Sequence, residues 1–382
     1  MRVAIDARPA VFAEKTGVGY YTWNLLKHLP RVDPSARYLA WYLNARALLG
    51  GPRRNLRELP GVRERWTPIP ARWFDRLESY ELPRLEWFVR FDVLFAPNFV
   101  PPPSRTGRLV ITVHDLAFRR FPETAPHATR RWLARIDHAL ERASRIIAVS
   151  EATRQDLIEL YSVAPDRIVV VPHGVDHSVF RPVPPDDVVR ATRRLGVTGP
   201  YLLYLGGIEP RKNLPRLIEA FARLPTNGRP DLVVAGSGVA WNPEGTNLLR
   251  AALDRQTIDV RQRVLLPGYV ADADRAALLS GAEALVYPSL YEGFGLPVLE
   301  AMACGTPVVA SNRPALPEVA GDSALLVDPE DPHQLAQAIE RVLSDERLRR
   351  VLHQRGLERA ARFSWDETAR RTAAVLHEAA SN

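Results

Sequence analysis

Tyr291-Glu292-Gly293-Phe294-Gly295-Leu296-Pro297-Val298-Leu299-Glu300-Ala301-Met302-Ala303-Cys304-Gly305 sets two glycines and a proline ahead of an apolar run that ends on glycine. The order reads as a loop that opens a helix. Pro297 suits a first turn, where its missing N–H needs no partner, and Gly305 stands at the C′ stop. Apolar runs flank the segment, Ala284–Tyr287 before it and Pro307–Ala310 after it, so the unit is strand, loop, helix, strand.

The same alternation extends in both directions. Tyr201–Leu205, Leu232–Ala235 and Val264–Leu266 read as further strands of the second half, and Val3–Ala7, Val93–Ala96, Leu109–Val113, Ile146–Val149 and Ile168–Val171 as strands of the first. Ser150 is a natural N-cap for a helix Glu151–Tyr161, and Thr129–Ala143 has apolar positions at helical spacing. Between the halves, Arg181-Pro182-Val183-Pro184-Pro185-Asp186 is a Pro-rich stretch of the kind that links domains, followed by a short helix Val188–Leu195. The fold class expected is α/β, as two Rossmann-like, doubly wound lobes. Such lobes bind ligands at the carboxyl ends of their strands, so two of them imply a cleft. The domains predicted are 1–185, 186–362 and a C-terminal helix, 363–382, that packs back on the first lobe.

Composition supports a globular chain. Its 382 residues suit two domains of ordinary size, and 46% hydrophobic with 25% charged residues argues against wholesale disorder. Asp6 falls where a signal peptide needs an apolar run, and no stretch approaches a membrane span, so a cytoplasmic location is expected. The single cysteine, Cys304, excludes an internal disulfide and a cysteine-built metal site, and reads as a small buried residue. Residues 1–180 carry a net charge of +8 and the remainder −1, so the whole basic excess lies in the first half. That balance suits a phosphate-rich partner: nucleic acid, an anionic lipid surface or a pyrophosphate-linked substrate.

In the opening segment, the glycines leave backbone N–H groups unobstructed at the positive end of a helix, a ready anion site. Glu300, a turn further on, is placed to reach a ribose, and Glu292 sugar hydroxyls. The same residues also fit a helix-capping Glu292 and a surface Glu300. Glu-x7-Glu with this interior, continued by Gly305-Thr306-Pro307-Val308-Val309-Ala310-Ser311 and Pro317-Glu318-Val319-Ala320-Gly321, resembles the donor site of family 4 retaining glycosyltransferases, which have the GT-B fold. The resemblance covers most of the chain and is strongest from 201 to 330. It implies that Glu292 contacts the donor sugar, that Gly293, Phe294, Gly295 and Leu296 bind sugar and phosphate through the backbone, and that Glu300 holds the ribose. Val270, closing Pro267-Gly268-Tyr269-Val270, is counted with the donor-binding residues.

Gly206-Gly207-Ile208-Glu209-Pro210-Arg211-Lys212-Asn213 follows a strand and precedes a helix capped by Asn213. The family places an Arg and a Lys in this loop to stabilise the leaving diphosphate. Lys212 matches the Lys; Gly207 stands where the Arg is usual, with Arg211 as its substitute. Gly17 and Gly19, in Thr16-Gly17-Val18-Gly19-Tyr20 before a helix Tyr21–His28, resemble the glycine loop that faces donor phosphates and acceptor. His114, in Thr112-Val113-His114-Asp115 at a strand end, is given a contact with the donor sugar. In Val171-Pro172-His173-Gly174-Val175-Asp176, His173 replaces the Asn of an Asn-Gly-Val-Asp turn.

The resemblance implies a hexosyltransferase working with retention. No glycosidase-like carboxylate pair is identifiable. The reading is therefore a same-face displacement, catalysed by His114, Glu292 and Lys212, in which the departing phosphate accepts the acceptor's proton. It leans to GDP-mannose as donor, with UDP-sugars next, and to a glycan or lipid-linked acceptor in cell-surface polysaccharide or glycolipid assembly. No cofactor and no metal is expected: Asp272-Ala273-Asp274 has a metal-binding spacing but opens a helix, where acids offset the dipole. Rivals are a GT-B nucleotide-sugar epimerase, a non-catalytic nucleotide-sugar-binding protein and a dehydrogenase, whose third glycine is missing. A nucleic-acid partner is not expected, since no module for it is recognisable. Finally Arg53, Arg54, Arg57, Arg63, Arg65, Arg72 and Arg76, interleaved with Trp66, Trp73 and Phe74, suit a peripheral contact of the first lobe with the anionic inner face of the cell membrane. A solvated surface with core aromatics explains them equally well.

Overall fold

The computed structural model describes residues 1–12, 16–45, 56, 59–78, 80–122, 127–236 and 243–381. The chain divides into two units.

The first unit is built on a parallel sheet of seven strands: β1 Arg2–Asp6, β2 Arg37–Leu43, β3 Val62–Thr67, β4 Val93–Ala96, β5 Arg108–Val113, β6 Arg145–Ala148 and β7 Ile168–Val170, in the order β3-β2-β1-β4-β5-β6-β7. Parallel strands covered on both faces must be apolar throughout, and β1, β4 and β5 are buried along almost their whole length. Strands β2 and β3, absent from the sequence reading, extend the sheet beyond β1. The edge strand β3, Val-Arg-Glu-Arg-Trp-Thr, carries three consecutive charges, Arg63-Glu64-Arg65, and gives no continuous apolar signal.

Helix Trp365–Ser381 belongs to this unit. Its Trp365, Ala369, Val375, Leu376 and Ala379 join Tyr21, Leu25 and Leu29 of helix Gly17–Val32 in one core. Polar contacts fasten it: Thr368 Oγ1 donates to the Pro172 carbonyl at 2.9 Å, and His28 Nδ1 lies 2.6 Å from Asp366 Oδ1. Ser150 caps helix Glu151–Tyr161, its Oγ accepting from the Thr153 N–H at 3.0 Å.

The second unit holds a parallel sheet of six strands: β8 Tyr201–Leu205, β9 Asp231–Ala235, β10 Val264–Gly268, β11 Ala284–Tyr287, β12 Val308–Ser311 and β13 Leu325–Val327, in the order β10-β9-β8-β11-β12-β13. The strand order reverses between β8 and β11, and likewise between β1 and β4 in the first unit; ligands of open sheets collect at the carboxyl ends of strands flanking such a reversal.

The boundaries differ from those expected. The chain passes into the second unit after Gly174 rather than near 185, because residues beyond Gly174 pack there. The Val183 N–H donates to Ser280 Oγ at 3.1 Å, and Val175 bridges Ser364. A short stretch beginning at Ala117 also belongs to the second unit. Pro185 opens helix Pro185–Arg194 instead of lying in a linker.

Candidate active site

In the second unit, the loops after β8 and β11 bring Lys212, Arg211 and Glu292 together. Lys212 Nζ lies 2.5 Å from Glu292 Oε1 and donates to the Tyr287 hydroxyl at 3.0 Å. Arg211 Nη1 reaches Glu292 Oε2 at 3.2 Å and the Tyr291 carbonyl at 3.0 Å, while its Nε donates to Glu209 Oε2 at 2.9 Å. Lys212 and Glu292 are buried, only 6% and 7% exposed. Burial alone would push the Glu292 carboxyl up, but Lys212 and Arg211 overcome it and hold the group at about 2. Burial, then the neighbouring Arg211 charge, lowers the Lys212 ammonium below its ordinary value.

Glu292 therefore does not cap the following helix, and Lys212 does not ride on a solvated turn. Arg211 shares the carboxylate with Lys212, a contact between segments about 80 residues apart in the chain. Asn213 is also corrected. It sits at the N-cap position in the left-handed region, but its amide donates to the Pro288 and Pro329 carbonyls instead of capping. The loop is braced by helix Pro243–Asp254, whose Gly245 packs so closely that a Cβ there would lie 2.3 Å from the Ile208 carbonyl oxygen.

Helix Leu296–Ala303 opens where expected, with Pro297 in its first turn and Cys304 as C-cap. Its N-cap, Gly295, has φ of 110° and would drive a Cβ to 2.6 Å from Leu316 Cδ2, so only glycine fits. Gly293 precedes it in the loop, and Phe294 is buried with its ring edge-on to Phe363. Val270 is buried after β10. Glu300 is not a surface acid: it is buried and its Oε2 accepts from Arg275 Nη2. Cys304 is buried, its thiol pushed up to about 12 by burial. Asp272 opens helix Asp272–Ser280, and Asp274 pairs with Arg194.

In the first unit, Gly17 and Gly19 lie inside helix Gly17–Val32, not in a loop before it, and Thr16 Oγ1 caps it by accepting from the Gly19 N–H at 3.4 Å. His114, just beyond β5, lies 2.8 Å from the Pro97 carbonyl through Nε2, which must be the protonated nitrogen because the oxygen only accepts. Its ring meets Tyr21 edge-on at 4.8 Å and stacks on His173 at 5.4 Å; His173 in turn lies 5.9 Å from Trp365. Burial lowers both imidazoles, His173 well below the ordinary value, so His114 is neutral at pH 7. Sequence reasoning missed Tyr287, Arg275 and Trp365. A tyrosine closing the strand beside β8 is a signal for the first; the other two carry none.

Of the basic and aromatic residues expected at a membrane contact, Arg53, Arg54 and Arg57 lie outside the described residues. Phe74 is a core residue, Trp66 packs partly buried against the core, and Trp73 is 51% exposed.

Comparison with known proteins identifies the family and the fold. Residues 187–359 match the profile "Glycosyl transferases group 1", and residues 15–179 match "Glycosyltransferase Family 4". The chain is similar to the O-antigen chain mannosyltransferase B of Escherichia coli, 37% identical over 78% of each protein. It is also similar to the MMP alpha-(1->4)-mannosyltransferase of Mycolicibacterium hassiacum, 35% identical over 65% of this chain and 58% of that one. Among solved structures, sucrose-phosphate synthase from Thermosynechococcus elongatus superposes with a TM-score of 0.80 at 23% identity, covering 99% of this chain and 98% of that one. HepE of Anabaena in complex with UDP-glucose superposes with a TM-score of 0.73 at 20% identity, covering 99% and 100%. The fold is the two-lobe α/β GT-B fold, and the chain belongs to the group 1, family 4 glycosyltransferases.

Proposed function

We propose that this glycosyltransferase moves a hexose with retention and without a metal ion, taking mannose from GDP-mannose to a glycan or lipid-linked acceptor in the assembly of a cell-surface polysaccharide or glycolipid. The observation that carries the reading is the buried Glu292 carboxylate with Lys212 and Arg211 on its two oxygens, between the loops after β8 and β11. Cations fixed and desolvated before the reaction stabilise charge that develops on a leaving group without reorganising. Mannose is supported by the names of the relatives that match at 35–37% identity.

In the reaction proposed, the bond from C1 to the β-phosphate oxygen breaks while the acceptor oxygen bonds to C1 on the same face. The acceptor's proton passes to the departing phosphate. Lys212, Arg211 and the backbone N–H groups of Gly293–Leu296 stabilise the diphosphate. Glu292 orients sugar hydroxyls, Glu300 takes the ribose, and His114 offers the sugar a neutral hydrogen-bonding group.

Thermal-shift measurements with GDP, UDP, ADP and their sugars test the donor: a nucleotide at a hundred times its Kd adds about 2.7 kcal/mol of stability. Donor turnover is then followed with and without acceptors, in EDTA. Activity survives EDTA on this reading; complete loss restored by Mg²⁺ or Mn²⁺ overturns metal independence. Release of a changed sugar without any acceptor favours the epimerase.

A peripheral contact with an anionic membrane belongs to the same proposal. Helix Ala71–Glu78 turns Trp73 and Leu77 outward, and Tyr80, Trp87 and Phe88 follow exposed, with Arg72, Arg76 and Arg90 also exposed. Aromatic rings at headgroup level beside cations suit such a surface, each cation contributing about 1 kcal/mol. Sedimentation with anionic vesicles is expected at low salt and lost in an Arg72/Arg76→Glu variant. Wild type left in the supernatant overturns the contact and points to a soluble acceptor.

A further inference from the structure

We infer that Arg275 is a positioning residue for nucleotide recognition: by holding Glu300 Oε2, it fixes the carboxylate in the orientation that a ribose diol requires. The inference rests on the reading of Glu300 as the ribose contact. Its grounds are the surroundings of the pair. Glu300 sits inside helix Leu296–Ala303 and Arg275 on helix Asp272–Ser280, and their side chains are 10% and 14% exposed. Burying a carboxylate is costly unless a cation faces it, and a charge-assisted hydrogen bond from a guanidinium also fixes the carboxylate's orientation. Arg275 supplies both.

The choice of arginine also matters. Its guanidinium lies 5.3 Å from the centre of the Phe180 ring, a cation–π contact that restrains the donor fork and, through it, the carboxylate. Phe180 comes from the segment just after the crossing at Gly174, so three separate stretches of the second unit meet at this pair. The helix bearing Arg275 starts two residues after Val270, counted above with the donor-binding residues. An arginine at the start of that helix thus couples one donor-lining segment to the carboxylate of the other.

The test is calorimetry of GDP and UDP, each beside its 2′-deoxy and 3′-deoxy forms, on wild type, Arg275→Leu and Arg275→Gln. The two variants remove the charge with and without a remaining donor, so one still reports if the other fails to fold. Wild type is expected to bind one ribonucleotide about tenfold or more tightly than its deoxy forms. In the variants that ratio falls towards one, because affinity for the ribonucleotide drops while that for the deoxy forms stays. A variant that keeps the ratio, or weakens both forms equally, overturns the positioning role. Wild type with no ratio, or no affinity for either nucleotide, overturns the ribose reading itself, a result distinct from the first.

Discussion

Around Glu292, in the second unit, a buried carboxylate and ammonium meet a partly buried guanidinium, and a few residues on, the buried Glu300 meets the partly buried Arg275. Around His114, in the first unit, the neighbours are rings: Tyr21, His173 and, through His173, Trp365. Both clusters stand at the carboxyl ends of strands in sheets of the same construction, so topology does not set their chemistry. On the function proposed above, compensated ions suit a site for a diphosphate, and a neutral imidazole suits a site for hydroxyls, where a charge adds little. The two also fail differently. Removing one member of a buried ion pair strands the other, at about 3–5 kcal/mol. Removing a neutral ring leaves a gap and a lost hydrogen bond.

The sharpest way to break the contrast is Lys212→Ala. Turnover should fall about 10²-fold or more, in line with the loss of one preorganised stabiliser, and Tm should fall too because the buried Glu292 loses the cation on one of its oxygens. Near-wild-type turnover would remove Lys212 from the chemistry. Next, Glu300→Ala should weaken nucleotide binding by about 1.5–3 kcal/mol, the worth of a hydrogen bond to a charged group. Calorimetry showing unchanged affinity contradicts the ribose assignment. His114→Gln should cost less, about 0.5–1.5 kcal/mol in kcat/KM, as befits a neutral hydrogen bond. A loss as large as that of Lys212→Ala would show that His114 works as an ion after all.

The smallest effect is on acid stability. Burial holds His114 and His173 below their ordinary value of 6.5, so beneath that pH the unfolded chain binds more protons than the folded one, and stability declines as pH falls. Glu292 behaves oppositely in range. Held at about 2, it contributes fully above the ordinary carboxylate value and loses that contribution only as pH falls towards 2. Thermal unfolding between pH 8 and 5 should thus show a decline that a His114→Gln/His173→Asn variant flattens. An equal decline in both proteins assigns it elsewhere.

How far each cluster was legible in the sequence follows from the same physics. β8 and β11 are continuous apolar runs bounded by glycine or proline, and their limits could be read directly. β2 is an aromatic-rich apolar run of strand-favouring residues, so its signal was present in the sequence and was missed. β13 is only three residues long, and partly exposed. Lys212 and Glu292 stand in motifs that point to them singly, yet their contact spans segments far apart and is fixed only by the adjacency of β8 and β11. The Arg275–Glu300 pair joins two helices with no local pattern between them. His173 showed as a departure from a turn motif; its stacking on His114 needed β5, β6 and β7 in place.

Helix Trp365–Ser381 supplies part of the core of a unit whose sheet is finished by β7, with the entire second sheet between them in the chain. On a ribosome, which adds about 5–20 residues per second, the strands of the first unit wait on the order of ten seconds or more for that helix. The second unit is drawn from the intervening stretch and can close before it. Completion therefore runs against the order of synthesis: the half made first is the last to bury its apolar face, and in that interval it is the part most in need of a chaperone.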